Sequence, residues 1–258
     1  MRPRRPQDDP VRTGPIIPSR PPFTLVIPAY NQRQQAIDSA LEARAHLDDV
    51  FGTRAELIIV DDGSTGDEKM RSQDFPERIK LVQHVRNEGK GSAVRSGLLD
   101  ARGEYVVFTD SDLPFTLEPL AATAATLADG VDVVIGDRLM PESECVAEVT
   151  PMRRLSSAVF TFMVMKMVGL PFSDTQCGYK GYRLRAAHQL YARLETLSFA
   201  FDVEILARAI ALGYSIERQP LTLVNNETTS VRLSRHAPRM LFDMAFIAWH
   251  VQRGHYAG

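Results

Sequence analysis

The chain has 258 residues, of which 44% are hydrophobic and 24% charged, with a formal net charge of −2 at pH 7. That balance suits a globular protein with a sizeable core, built as one large domain or one domain plus a tail. It excludes a global basic field of the kind that binds nucleic acid, no run reaches the roughly 18–20 apolar residues of a membrane span, and Cys145 and Cys177 lack the spacing of a zinc site or a disulfide framework, which fits a reducing, cytoplasmic compartment.

Residues 1–22 are rich in Pro and Arg and have no apolar stretch of the secretory type, so a disordered tail is expected. Its arginines (Arg2, Arg4, Arg5, Arg12 and Arg20) could favour an anionic lipid surface, although Asp8 and Asp9 dilute the charge. From Phe23 onward strands and helices alternate. Phe23–Ile27 is a strand, Gln34–Phe51 a helix, Glu56–Val60 a strand, Ile79–His84 a strand and Gly91–Ala101 a helix. A strand at Glu104–Phe108, a helix at Leu117–Ala128 and a strand at Val131–Ile135 follow. This order predicts an α/β fold, with a mostly parallel central sheet and helices on both faces. In the second half Pro151–Val168 is a strongly apolar helix, Ala200–Leu212 another, Ser215–Val224 is strand-like, and Ala237–Val251 is a last helix, apolar around most of its circumference. A single domain over 23–258, its C-terminal half elaborated, accounts for the pattern.

The early strands end in polar clusters: Pro28-Ala29-Tyr30-Asn31, Asp61-Asp62-Gly63-Ser64, Arg86-Asn87-Glu88-Gly89-Lys90-Gly91 and Asp110-Ser111-Asp112. Each alone could be a solvated turn. Together they should converge on the carboxyl edge of the sheet, where ligands of open α/β folds sit. Asp61 and Asp62 suit N–H and O–H donors such as a uracil edge and a ribose, or they simply mark an Asp-Gly turn. Gly89-Lys90-Gly91 opens a helix whose amides could face a phosphate. Asp110 and Asp112, two apart on an extended segment, share a face and offer hard oxygen ligands to Mg²⁺ or Mn²⁺.

Taken in order, these motifs resemble the family 2 inverting glycosyltransferases of GT-A fold. Gly136-Asp137-Arg138 is similar to the family's step after the next strand. Asp174-Thr175-Gln176-Cys177-Gly178-Tyr179-Lys180 and Phe201-Asp202-Val203-Glu204 resemble the branch that glycosylates dolichyl and other polyprenyl phosphates, the first stretch looking more like the glucosyl than the mannosyl enzymes. Coverage runs from about Phe23 to Met244, dividing the domain into a nucleotide-sugar-binding half, 23–140, and an acceptor half, 141–258. Two departures stand out. Gln32 replaces the Glu that usually follows the first strand-end Asn, and no membrane helices accompany the motifs.

The resemblance implies a nucleotide-diphosphate sugar donor, UDP-glucose-like, and a polyprenyl phosphate acceptor. Asp112 and Asp110 would hold the metal, with Pro28, Tyr30, Asn31, Asp61, Asp62, Asn87, Gly89, Lys90 and Ser111 around the donor nucleotide. Arg138, Asp174, Gln176, Lys180, Glu204 and Ser230 would meet phosphate or sugar, and Arg232 would face the diphosphate through its Ser230-Val231-Arg232 step. Lysines and arginines of this kind are, by default, surface cations. Asp202 stands where members with hydroxyl acceptors place a general base, a soluble saccharide or metabolite being the alternative acceptor; a phosphate acceptor, already anionic, needs none. In a helix Asp202 and Glu204 cannot face the same way, so one of them is expected to be structural.

Phe160, Phe162, Met163, Met165, Met167, Phe242, Phe246 and Trp249 could line an isoprenoid groove, rest on the inner face of a membrane, seam a homodimer or fill the core. His84, His236 and His250 have no acidic or metal-partner pattern around them and receive no role. A nucleotidyltransferase would need a Gly-rich basic loop where Pro28-Ala29-Tyr30-Asn31 stands, and a non-catalytic sugar-nucleotide binder would not need Asp110, Asp112 and Asp202 intact.

Overall fold

The computed structural model describes residues 22–146, 161–225 and 233–257, with backbone alone over 233–239. The tail, residues 151–160 of the apolar helix including Phe160, and Ser230 and Arg232 lie outside the described residues, as does the His236 side chain. In chain order the strands are β1 (Phe23–Ala29), β2 (Glu56–Asp61), β3 (Ile79–Gln83), β4 (Tyr105–Thr109), β5 (Val133–Asp137), β6 (Glu144–Cys145), β7 (Tyr179–Arg183), β8 (Ile216–Pro220) and β9 (Thr222–Leu223). The helices are α1 (Arg33–Phe51), α2 (Lys90–Asp100), α3 (Pro119–Ala128), α4 (161–167), α5 (Leu184–Ala192), α6 (Phe201–Ala211) and α7 (Leu233–Gln252).

Seven strands form one sheet in the order β3-β2-β1-β4-β7-β5-β8. All pairs are parallel except those of β7, which runs antiparallel between β4 and β5. β1 is buried along its whole length, as a central parallel strand covered on both faces must be. Its alternating side chains feed two cores. Phe23, Leu25 and Ile27 pack under α1, whose Ala36, Ala40, Ala43 and Leu47 form the apolar stripe of a surface helix. Val26 points to the opposite face, into a larger core shared with α2, α5, α6 and α7. Each fully buried aliphatic or aromatic side chain there contributes about 1.5–3 kcal/mol.

The expected alternation of strands and helices is present, with differences that have physical causes. The strand expected at Val131–Ile135 begins at Val133 and runs on to Asp137, because its register follows β8, from Val133 against Ile216 to Asp137 against Pro220. The strand-like Ser215–Val224 is split into β8 and the short β9, which leaves the main sheet to pair with β6. β7 and α5 carry no strong apolar signature in sequence. β7 reads YKGYR, and its burial comes from position between two strands rather than from composition.

One consequence shapes the site. Because β7 is antiparallel, its first residues lie beside the last residues of β4: Tyr179 opposite Thr109 and Lys180 opposite Phe108. The stretch leading into β7 is thereby delivered to the edge where β1, β2 and β4 end.

Candidate active site

Three loops meet at the carboxyl edge through two buried aspartates. Asp61 and Asp62 are 1% and 3% exposed. Asp61 accepts from the Ser64 amide at 2.9 Å, from the Met70 amide at 3.4 Å and from Gln83 Nε2 at 3.3 Å, so it folds the loop after β2 back on itself. Asp62 accepts from Asn87 Nδ2 at 3.0 Å and from the Glu88 and Gly89 amides at 3.0 and 2.9 Å, fixing the loop before α2. Both carboxylates are engaged by these loop donors. Asn31, at φ 51° in the left-handed region that Asn tolerates, completes the frame. Its amide donates to Ser64 Oγ at 2.8 Å and its Oδ1 accepts from the Thr65 amide at 3.1 Å. Pro28 is buried at the end of β1, two residues past the last pair with β4, and Tyr30 beyond it is 43% exposed.

Gly89 sits at φ 105°, and a Cβ there would fall 2.5 Å from the Leu197 carbonyl oxygen. Only glycine permits both the angle and the approach. The following Gly91 amide donates to that same carbonyl at 2.9 Å, so the start of α2 is docked on the segment before α6.

Asp110 and Asp112 occupy a tight turn after β4, with the Leu113 amide donating to Asp110 O at 3.1 Å. Leu113 has φ 39°, a strained value for a branched-chain side chain and one that concentrates at functional sites. The turn is braced from α1: Ser39 Oγ donates to Ser111 O at 2.7 Å, and Ser111 Oγ donates to Gln32 Oε1 at 2.9 Å. The departure at Gln32 is thus tied directly to the acidic turn. Asp112 lines an open cavity of about 610 Å³ with Gln35, Ser39, His46, Phe115 and Asn225. Gly178 presses on the other side of the turn, where a Cβ would lie 2.1 Å from Asp110 Oδ2.

Lys90 binds this group together. Its Nζ lies 2.6 Å from Asp110 Oδ1. Burial opposes its charge, but Asp110, Asp202 and Asp112 outweigh that and raise its pKa above the ordinary lysine value. Asp110, Asp112 and Asp202 act together on Lys90, and even with Lys180 bonded to Asp202 the three carboxylates outnumber the two ammonium groups. An oxygen-only, surplus-negative donor set of this kind fits a hard divalent cation.

Asp202, on the first turn of α6, accepts from Lys180 Nζ at 2.6 Å, and Lys180 also donates to Cys177 O at 2.7 Å. Burial pushes the Asp202 carboxyl up, against the pull of Lys180 and Lys90. Lys180 is fully buried rather than a surface cation, lying 5.7 Å over the Phe108 ring. Arg138 and Asp174 form a two-pronged pair, Nε to Oδ2 at 2.7 Å and Nη2 to Oδ1 at 2.8 Å, and the Arg138 amide adds a third bond at 3.1 Å. Burial works against the guanidinium, and the Asp174 fork overrides it, keeping Arg138 above its ordinary value. Gln176 Nε2 donates to Phe199 O at 3.2 Å. Glu204 is directed elsewhere: fully buried, it accepts from the Glu195 and Thr196 amides at 3.0 and 2.6 Å and from Arg208 Nε at 2.7 Å.

Two histidines left without a role in the sequence acquire partners here. His84 Nδ1 lies 2.7 Å from Asp62 Oδ1, and Nε2 lies 2.8 Å from Ser96 Oγ. His250 faces Glu195 at 3.6 Å. Both relationships span long sequence separations, and no local motif announces them.

The chain as a whole is similar to known proteins. The Glycosyl transferase family 2 model matches residues 24–191. The dolichyl-phosphate beta-glucosyltransferase of Saccharomyces cerevisiae is 29% identical, over 87% of this chain and 73% of that protein. The Drosophila melanogaster protein of the same name is 31% identical, over 71% of this chain and 61% of its own length. The chain thus spans between about three-fifths and three-quarters of these relatives. Among solved structures, glucosyl-3-phosphoglycerate synthase from Mycobacterium tuberculosis, crystallised with Mn²⁺, UDP-glucose and phosphoglyceric acid, superposes with a TM-score of 0.62 at 18% identity, covering 90% of this chain and 80% of that one. Staphylococcus aureus TarS, residues 1–349, gives 0.57 at 20% identity, covering 89% and 64%.

Proposed function

The chain belongs to glycosyl transferase family 2 and is a glycosyltransferase of GT-A fold, and from that premise we propose that it moves glucose from UDP-glucose to a polyprenyl phosphate. The curated relatives it resembles are named dolichyl-phosphate beta-glucosyltransferases, which supports glucose and a polyprenyl phosphate as the transferred group and its acceptor. The observation that carries the reading is the Lys180–Asp202 pair, 2.6 Å long with side chains 0% and 4% exposed. A carboxylate already bonded to a buried ammonium is poorly placed to accept a hydroxyl proton. An acceptor phosphate needs no such base.

The residues divide the work as follows. The loops held by Asp61, Asp62 and Asn31 form the nucleotide cradle, with Pro28, Tyr30 and Asn87 at its rim. Asp112 with Asp110 would hold Mg²⁺ or Mn²⁺, and Ser111 and Gln32 fix the turn that presents them. Such an ion, when bound, stabilises the charge that develops on the departing diphosphate. Lys90 adds positive charge beside the helix-opening amides of Gly89 and Gly91. The Arg138–Asp174 fork keeps a cation at the end of β5, and Ser230 and Arg232 are assigned to the phosphates from their motif alone. Asp202 and Lys180 position the acceptor, with Gln176 at its side. Glu204 supports the loop that docks α2.

Placement at the cytoplasmic face of a membrane, by contact rather than insertion, completes the proposal. No helix among the described residues is long and apolar enough to cross a membrane. Yet Phe162, Met165 and Met167 on α4 and Leu241, Phe242 and Trp249 on α7 are 36–69% exposed, while Met163 and Phe246 pack against the core. Lys166 and Arg253 stand over the Phe162 and Trp249 rings at 5.8 and 4.3 Å. Apolar rings flanked by cations suit an anionic lipid surface and its isoprenoid substrates.

One specific observation favours the second reading, a soluble hydroxyl acceptor. The upward push on the Asp202 carboxyl would make it a stronger base. The experiment that decides is transfer itself. Purified protein is given UDP-glucose, Mn²⁺ or Mg²⁺ and a short-chain polyprenyl phosphate, and glucose on the lipid is followed by mass. Glucosyl lipid that disappears in Asp112→Asn is the expected result. UDP release without lipid product transfers the assignment to hydroxyl acceptors with Asp202 as base, and no UDP release removes the donor assignment.

A further inference from the structure

Away from the transfer site, the end of α7 brings two imidazoles to one carboxylate. Glu195 precedes α6, His250 lies in the last turn of α7, and His255 opens the short turn His255–Ala257. One ligand atom from each lies within 4.8 Å of the others. Glu195 Oε1 is 3.2 Å from His255 Nε2, and Glu195 Oε2 is 3.6 Å from His250 Nδ1. Ligand atoms around a tetrahedral zinc with bonds of about 2.0–2.1 Å stand about 3.3 Å apart, and each imidazole nitrogen lies near that spacing from one of the two Glu195 oxygens.

His250 supplies the second observation. It is only 5% exposed, and its Nδ1 has no hydrogen-bond partner among the described residues. A buried ring nitrogen without a partner is destabilising and calls for an explanation. The nitrogen is aimed at the Glu195 carboxylate. Its remaining neighbours are rings: Phe246, Trp249, His255 and Tyr256 have centroids 4.1, 4.9, 4.2 and 5.6 Å away.

Charge around the trio favours a cation. Arg208 Nη2 takes Glu195 Oε1 at 2.7 Å and its Nε takes Glu204 at 2.7 Å. With both imidazoles neutral, two carboxylates face one guanidinium, and Glu195 Oε2 is left on the His250 side. Glu195 and His255 are exposed, which provides a route in from solvent.

We propose that Glu195, His250 and His255 form a second cation site, selective for a borderline-soft divalent ion such as Zn²⁺. Two imidazoles and one carboxylate make a three-ligand set with an open fourth position. Its place in the fold gives it a structural task. It ties the C-terminal turn to the segment before α6, the helix whose first turn carries Asp202.

The test uses untagged full-length protein, stripped with chelator and held in millimolar Mg²⁺ so that the oxygen-only site is occupied. Zn²⁺ is titrated and followed by calorimetry and by the shift in Tm. Co²⁺ is then substituted and its visible absorption recorded. A Cys145→Ser background removes the exposed thiol as an adventitious ligand. One equivalent of Zn²⁺ is expected, with affinity falling at least about tenfold in His255→Ala, since even the partners behind metal ligands are worth about 10–100-fold. His255 is half exposed, so this variant is expected to keep the fold, which its Tm without Zn²⁺ checks. Glu195→Gln, which loses charge but not volume, should weaken binding similarly. Equal Zn²⁺ affinity in parent and His255→Ala, or no stoichiometric binding in the Cys145→Ser protein, overturns the proposal. UDP release, measured in parallel in Mg²⁺ alone, is expected unchanged in His255→Ala.

Discussion

Lys180 and Asp202 join the second residue of β7 to the first turn of α6 through a 2.6 Å bond closed to solvent. Removing water from two opposite charges costs several kcal/mol per ion, and only good geometry with further hydrogen bonds recovers it. Here the recovery includes Lys180 to Cys177 O and the attraction of Asp202 to Lys90. Such a pair is a weak stabiliser as a unit and a strong liability when halved.

Lys180→Met should therefore destabilise the fold by about 3–5 kcal/mol, the usual cost of leaving one buried charge alone. Adding Asp202→Leu should recover much of that loss while abolishing transfer. Urea unfolding of the two variants measures the difference. If the double variant is no more stable than Lys180→Met, the ion pair is not the cause.

On the proposed function, His84 would act on the donor side at one remove. It bonds Asp62, which in turn holds the Glu88 and Gly89 amides, so it positions the cradle without belonging to it. A hydrogen bond to a charged group is worth about 1.5–3 kcal/mol. His84→Ala should raise KM for UDP-glucose about tenfold, corresponding to about 1.4 kcal/mol, with kcat changed much less. His84→Gln, which keeps a donor, should recover part of it. A fall in kcat at constant KM would show that His84 has some other role.

The contrast between what could and could not be read from the chain follows from interaction range. The ends of β1, β2 and β4 were legible because each motif directly follows its own apolar run, and parallel topology alone brings them to one edge. The Asp110–Ser111–Asp112 turn was legible for the same reason. Lys180 could be named from the family resemblance, but its burial and its bond to Asp202 could not, because a lysine in YKGYR looks like a surface residue until β7 is inserted between β4 and β5 and Asp202 closes over it. The split of Ser215–Val224 into β8 and β9 depends likewise on which strands are available to pair. Asp61 and Asp62 were legible as carboxylates at a strand end, but their loop partners, up to 27 residues away in the case of Asp62 and Gly89, were not.

Membrane contact makes a separable prediction. Phe242 and Trp249 are 69% and 48% exposed, and burying a large apolar side chain is worth about 1.5–3 kcal/mol. Phe242→Asp with Trp249→Asp should lower co-sedimentation with phosphatidylserine-containing vesicles by at least about tenfold, leaving UDP release from UDP-glucose intact. Raised salt should weaken binding of the parent, because the flanking Lys166 and Arg253 act through screened charge. Unaltered sedimentation in the double variant would transfer these faces to a dimer seam, which light scattering would then reveal.

Acid stability should report on the tether between α1 and the loop after β2. Arg33 grips Asp74 through Nε at 3.0 Å and Nη2 at 2.6 Å, and the Arg71 amide adds a bond at 2.8 Å. The Arg33 hydrogen bonds, against a smaller effect of burial, hold the Asp74 carboxyl below its ordinary 3.8. A carboxyl depressed on folding contributes stability that is present above its unfolded pKa and is lost as pH falls through the folded value. Unfolding free energy should therefore drop as pH is lowered below about 4, and Asp74→Asn should flatten that limb while lowering stability near neutrality. The same tether brings Glu68 to the Arg33 amide at 2.8 Å, beside the Asn31 link to Ser64. KM for UDP-glucose should rise in Asp74→Asn as the cradle loosens. An acid limb identical in parent and variant would show that other carboxyls control it.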